Sequence, residues 1–216
     1  MNKTTLLFGL LLAMLLTACS RQVDTVEPQV QNFRDGSYQV DTEKSMLYWE
    51  AFKPVGGHMG GISLKSGQLV VSGGLPAHGS FVVDMGSITN TDIEDESMRT
   101  MLVNDLLSDN FFSAADYPEA RFEITKVSPY EGEGDYNFLV EGDLGLKGAT
   151  APIRVLAKIT ANEGVLTARG SAEVDRTVFG ITIRSGSFFE NLGDRLIKDI
   201  FVVEMELVAY LEQELP

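Results

Sequence analysis

One cysteine, two histidines and one tryptophan are all that 216 residues contain of those types. A lone thiol forms no internal disulfide, so no covalent framework staples this chain. Two histidines leave carboxylates to fill most positions of any transition-metal site. No G-x-S-x-G elbow, H-E-x-x-H pair, phosphate loop or G-x-G-x-x-G turn occurs in the sequence, and their absence removes the commonest hydrolytic and nucleotide-binding chemistries. Basic residues are scarce as well: 17 Lys and Arg stand against 31 Asp and Glu, a formal charge of −14. Such a surface repels nucleic acid and anionic headgroups. There is no internal repeat, and the one long apolar run is Leu6 to Leu16.

That run follows Lys3 and reads LLFGLLLAMLL. At about 1.5 Å per residue it falls short of a hydrocarbon core of roughly 30 Å, as a signal-peptide core does. Leu16-Thr17-Ala18-Cys19 then resembles the lipobox of bacterial lipoproteins. The expectation is a signal peptide over 1–18, removed on export, and a mature chain whose acylated Cys19, carrying palmitate-type chains, is its membrane anchor. Loss of Lys3 makes the mature chain one unit more negative. Each buried CH₂ of an acyl chain contributes about 0.8 kcal/mol, so three chains hold essentially permanently. Ser20 resembles the outer-membrane sorting default of two-membrane bacteria, which implies a lipid-anchored place in the cell envelope facing the periplasm.

Residues 19–37 are polar, contain Pro28, and read as a lipidated Cys and flexible tether. From Tyr38 the pattern changes to apolar-polar alternation, the period of a half-buried strand. Phe81, Val83 and Met85 alternate with Asp84; Phe122 and Ile124 with Glu123 and Thr125. Phe138, Val140, Gly142, Leu144 and Leu146 form one face, as do Ile153, Val155, Ala157 and Ile159. Phe201, Val203, Met205, Leu207 and Ala209 form another. Glycine turns separate these runs, at Ser72-Gly73-Gly74, Glu131 to Gly134 and Asn162-Glu163-Gly164. Only residues 94–112 show a helical period, with Asp95 or Ser97 as the cap. The fold expected is all-β with one short helix: eight to ten antiparallel strands, closed into a β-barrel because closure removes exposed edges.

Chemistry-bearing clusters are few. Asp92 to Glu96 lacks the spacing of a calcium loop and reads as a solvated helix start. His58, inside Gly56-Gly57-His58-Met59-Gly60-Gly61, reads as a turn histidine or as a polar group at a cavity mouth. Asp175-Arg176 reads as a buried pair or as a ligand clamp, the guanidinium fork suiting carboxylate or phosphate.

Several segments together carry a family resemblance: Trp49 and Lys53, then Gly57-His58-Met59-Gly60, then Phe81 to Ile88 followed by Asp92. Leu107-Ser108-Asp109-Asn110-Phe111-Phe112 and Tyr117-Pro118-Glu119-Ala120-Arg121-Phe122 come next. Gly142-Asp143-Leu144-Gly145-Leu146-Lys147-Gly148 and Asp175 to Gly180 complete the set. Order and spacing over residues 38–211 resemble the YceI-like family of exported bacterial proteins. The chain departs from that pattern at Asp105, where a histidine is common, and at Gly145, where a threonine is.

The resemblance implies a lipocalin-like antiparallel β-barrel of about eight strands around an elongated apolar tunnel. It implies a polyisoprenoid-type ligand, an isoprenoid quinone or a polyprenyl lipid, with no catalytic role and no other cofactor. The wall residues expected on that basis are Phe52, Phe81, Val83, Phe122, Ile124, Phe138, Val140, Phe188 and Phe189. His58, Asp84, Arg176 and Arg184 are the polar candidates at the mouth. No metal site is expected. The partners expected are a long-chain isoprenoid and the membrane, with no nucleic acid; the oligomeric state stays open, a dimer included. Two rivals remain: an envelope lipoprotein whose barrel is filled by its own side chains, and a hydrolase or isomerase using Asp84, Asp175 and His58.

Overall fold

The computed structural model describes residues 33–212. The expected signal peptide, Cys19 and most of the tether lie outside the described residues. Ten strands form one antiparallel sheet: β1 Gly36–Val40, β2 Met46–Phe52, β3 Gly57–Ile62, β4 Leu64–Ser72, β5 Leu75–Asp84, β6 Glu119–Pro129, β7 Phe138–Leu146, β8 Ala149–Asn162, β9 Val165–Asp175 and β10 Ile200–Leu211. One helix, α1 Glu96–Leu107, sits between β5 and β6. Asp95 caps it, accepting from the Met98 amide at 2.8 Å, and Glu96 occupies the first turn, where a negative charge suits the helix dipole.

Ten strands reduce to eight staves. β10 pairs with β1 through residues 209–211 and with β2 through residues 201–206, on the same edge. β1 and β2 are therefore one long strand, interrupted at Asp41–Ser45. Across the gap, the buried Ser45 hydroxyl accepts from the Val208 amide at 3.0 Å, and the Asp41 amide donates to the Val208 carbonyl at 2.8 Å. A side chain thus replaces the missing strand, leaving no orphaned backbone group there. β3 and β4 are likewise two pieces of one stave, paired with β2 and β1. With β1 on both β4 and β10, the order closes on itself.

Inward-facing positions follow the alternation. Buried residues recur at every second place along β4, β8 and β9: Leu69 and Val71, Val155 to Ile159, Leu166 to Val174. Strand direction assigns the connections to two ends. The β4–β5, β6–β7 and β8–β9 turns share one end with Phe33 and Leu211; the β2–β3 turn, α1, the β7–β8 turn and the long β9–β10 connection share the other.

The first end is closed. Phe33 is only 4 % exposed and packs on Phe138, ring centroids 5.9 Å apart. Tyr38, fully buried, stands opposite Leu69 on one side and Leu211 on the other. Among the described residues Phe33, which precedes the Tyr38 boundary expected from composition, already belongs to the core.

Candidate functional site

Above that floor the bore is open. A cavity of about 220 Å³ is lined by inward side chains of the barrel strands and of the segments that roof it. Phe81 and Val83 of β5, Phe122 and Ile124 of β6, and Val140 and Leu144 of β7 form one side. The alternating sets of β8 and β10, Ile153 to Ile159 and Phe201 to Ala209, form the other, with Leu166 to Val174 of β9. Leu106 of α1 and Phe111 and Phe112 cover part of the mouth end. Val203, Met205, Phe122 and Ile124 point inward yet are only half-buried, because they face the void. From Phe201 to Ala209 the lined stretch of β10 runs about 26 Å at roughly 3.3 Å per residue, or about 20 Å along the axis for a strand tilt near 40°.

Two charged residues touch this cavity, Arg176 and Lys198, both at the mouth end. Arg176 is 4 % exposed, and its guanidinium donates to four carbonyls: Lys198 through Nε at 3.1 Å, Ile181 and Ile183 at 2.7 and 2.9 Å, Ile197 at 2.9 Å. A longer contact of 3.4 Å reaches Asp199. Burial pulls the Arg176 pKa down, while Asp199 and Asp175 act against that pull. All five N–H donors of a guanidinium are thereby engaged. Arg176 is the organiser of the β9–β10 connection: its donors go to carbonyls and Asp199, while Asp175 accepts from Thr177.

Lys198 is the one solvent-exposed residue in the lining. Its ammonium stands 5.6 Å from the centroid of the Phe52 ring, and its amide donates to the Phe52 carbonyl at 2.8 Å. It has no carboxylate partner among the described residues. The cavity lining thus includes one available cation beside an apolar bore.

Trp49, the only tryptophan, is an inward residue of β2 and lines the cavity. Its indole N–H donates to the Thr89 carbonyl at 3.0 Å. That carbonyl belongs to a strap over residues 88–93, which follows β3 through Thr89 to Gly61 at 2.8 Å and Thr91 to Met59 at 3.0 Å. Gly60 permits the strap: a Cβ there would stand 1.8 Å from the Thr89 oxygen.

Several sequence candidates sit elsewhere. His58 does not line the cavity. Its Nδ1 is 2.9 Å from Asp92 Oδ2, while Asp92 Oδ1 accepts from the Met59 amide at 2.9 Å, so the motif fastens the strap. Burial works against ionisation of Asp92, but the Met59 amide, His58 and Asn90 outweigh it and hold its carboxyl below the usual range. Phe52 is half-exposed and faces outward; its neighbour Ala51 faces in, a one-residue parity difference. Phe138 belongs to the floor and not to the wall. Phe188 and Phe189 stand 58 % and 50 % exposed on the β9–β10 connection. Arg184 is exposed with φ of 52°, a turn position.

Asp84 and Asp175 are both caps of short 3₁₀ turns, accepting from the Gly86 and Thr177 amides at 3.0 and 2.8 Å. With His58 tied to Asp92, the three residues of the catalytic rival do not converge. Phe81, Val83, Phe122, Ile124, Val140 and Arg176 do come together around the bore. Lys198, Trp49 and the inward sets of β8 to β10 were missed as site residues, although alternation had placed most of the latter on one face. Among the described residues no group of three acidic, histidine or cysteine side chains is arranged to hold a metal.

An eight-stave antiparallel barrel with a closed floor, an apolar bore and a charged opening has room for one slender apolar molecule. The chain belongs to the YceI-like domain family, whose model matches residues 38–209. Among solved structures it is similar to Burkholderia cenocepacia BcnA, with 21 % identity and a TM-score of 0.61, over 78 % of this chain and 98 % of that one. It is also similar to a polyisoprenoid binding domain from Saccharophagus degradans implicated in plant cell wall breakdown, with 15 % identity and a TM-score of 0.55, over 82 % and 99 %. No curated protein matches it in sequence.

Proposed function

We propose that this protein is an envelope lipoprotein that sequesters or carries a long-chain isoprenoid, a quinone or polyprenyl lipid, with its apolar tail in the bore and its headgroup at Lys198. The observation that carries the reading is the void itself: a lined apolar bore about 20 Å long, closed by Phe33 and Phe138 and open beside Lys198. A bore of that form takes an extended chain end-on. Each CH₂ removed from water contributes about 0.8 kcal/mol, so burial alone drives binding and no catalytic group is needed. The similarity to the Saccharophagus polyisoprenoid binding domain supports the isoprenoid choice. The void weighs against a barrel filled by its own side chains.

In this reading 1–18 is the signal peptide and acylated Cys19 holds the protein on the periplasmic side of the outer membrane. Solvent extraction and mass spectrometry of the chain from Ser20 onward, purified from its native envelope, are expected to return a stoichiometric isoprenoid. Trp49 supplies the second readout. A quinone entering the bore quenches its emission, whereas a polyprenyl chain shifts it without quenching. No extractable lipid and no Trp49 response to either would overturn the reading. Labelling with a palmitate analogue tests the anchor: incorporation is expected in the full chain and absent from Cys19→Ser.

A further inference from the structure

Two sets of cations stand apart among the described residues. Along the outer wall they are matched: Lys65 with Glu119 at 2.7 Å, Lys126 with Glu141 at 3.0 Å, Lys158 with Asp135 at 2.7 Å. Around the mouth, Lys53, Arg184, Arg195 and Lys198 have no carboxylate partner among the described residues; the acids of the same segments are the exposed Glu190 and Asp194 and the half-buried Asp175 and Asp199, of which Asp199 faces Arg176 and Asp175 caps the turn at Thr177. In a chain of charge −14 this is a local positive excess. The same face carries exposed apolar side chains. Val55, at the tip of the β2–β3 turn, is 85 % exposed; Val178, Phe188 and Phe189 on the β9–β10 connection are 50 % exposed or more. The two segments are joined by the Lys198 amide on the Phe52 carbonyl. Among the described residues no large exposed apolar side chain lies on a floor-end connection, and that end carries Asp35, Glu131, Glu133, Glu163 and Glu212.

Exposed aromatic and aliphatic side chains interleaved with unmatched cations are the composition of a surface that settles into a lipid interface. We propose that the mouth face, built from the β2–β3 turn and the β9–β10 connection, docks on an anionic bilayer, so that the ligand passes between membrane and bore without crossing water. The inference rests on the bore being a lipid site. It assigns the bilayer as occupant because the face borders the opening, carries the sign of charge opposite to acidic headgroups, and presents Phe188 and Phe189, 58 % and 50 % exposed. The α1 side of the mouth, with Asp92 to Glu96, is acidic and forms no part of this surface.

The test uses the chain from Ser20 onward, whose barrel closes with its own core, so that no acyl anchor contributes. Co-flotation is measured with vesicles of phosphatidylethanolamine and phosphatidylglycerol, and with phosphatidylcholine alone. Binding is expected to the anionic vesicles, weakened by salt. The double variant Phe188→Ser/Phe189→Ser is expected to lose about tenfold in partition, and Arg195→Gln a few-fold, because apolar burial and charge both contribute. None of these residues lines the bore, so retained lipid, measured in the same preparations, is expected to be unchanged. No flotation of the parent chain, or flotation unaffected by the double variant, would overturn docking. A concentration-dependent dimer that the double variant abolishes, without vesicle binding, would overturn it in favour of a second copy on this face. Docking with an empty, unloadable bore would leave the surface standing and remove the carrier reading.

Discussion

At one end of the barrel Phe33, Tyr38, Phe138 and Leu211 fill the bore and exclude water; at the other, Arg176 spends every donor on holding a loop open beside Lys198. The floor is made by packing and the mouth by hydrogen bonds. Apolar side chains fill space wherever they meet, so a floor forms from bulk alone. An opening has to be kept from collapsing, and directional bonds to fixed carbonyls do that while a hydrophobic cluster would close it. The contrast also separates stability from function: floor residues hold the fold, and wall residues face a void that costs stability and creates a binding volume.

Arg176→Met tests the mouth and is expected to have the largest effect. It orphans four carbonyls and frees Asp199, for a loss of about 3–5 kcal/mol in denaturant unfolding, together with retained lipid. Arg176→Lys is not expected to rescue it, since an ammonium has three donors where the site uses five. Phe138→Ala tests the floor, with an expected loss of about 3–4 kcal/mol. Phe122→Ala, at a half-buried wall position, is expected to cost about 1–2 kcal/mol and to change the lipid load more than the midpoint. Equal costs at Phe122 and Phe138 would break the distinction between wall and floor.

Lys198→Glu sharpens the comparison with a smaller effect. The side chain is exposed, so stability is expected to stay within about 0.5 kcal/mol. Uptake of a polyprenyl phosphate, followed by Trp49 emission, is expected to weaken about fivefold, as for a screened charge contact, while uptake of a neutral quinone holds. The smallest effect is on pH. Burial opposes ionisation of Asp199, but bonds from Ser185 and Ser187 and the Arg176 charge hold its pKa below its ordinary value of 3.8. A depressed carboxylate stabilises the fold above its unfolded pKa and loses that contribution as pH falls through the folded value. The β9–β10 connection is therefore expected to loosen below about pH 3.8, before the floor does. Hydrogen exchange at Ile181 and Ile197 against Phe138 measures the order.

Much of this was legible in the chain. Phe201 to Ala209 and Ile153 to Ile159 alternate without interruption, so their inward faces follow from the pleat. Helix α1 was legible through Met98, Met101, Leu102 and the Asp95 cap, though it stops at Leu107 and not at Phe112. The two broken staves were not: Ser45 reads as a loop residue until Val208 stands opposite it. Phe52 lies at a strand end, where parity has no further residue to check it, and Phe188-Phe189 lies in a connection where hydrophobicity carries no face. Arg176 could be read as a clamp only while the carbonyls of Ile181, Ile183 and Ile197 were far away in sequence.

The sequence by itself determined the strand count, the closed antiparallel class, the family and the apolar face of most strands, because each of these rests on local periodicity or on ordered motifs. Only the tertiary structure decided which end is plugged, which cation stands at the opening, and that the bore holds a void and not side chains. Those outcomes depend on how residues far apart in the chain meet across the barrel, on whether Phe33 reaches Phe138 and whether Arg176 finds its carbonyls. Volume and donor satisfaction at such meetings are properties of the assembled fold that no local pattern encodes.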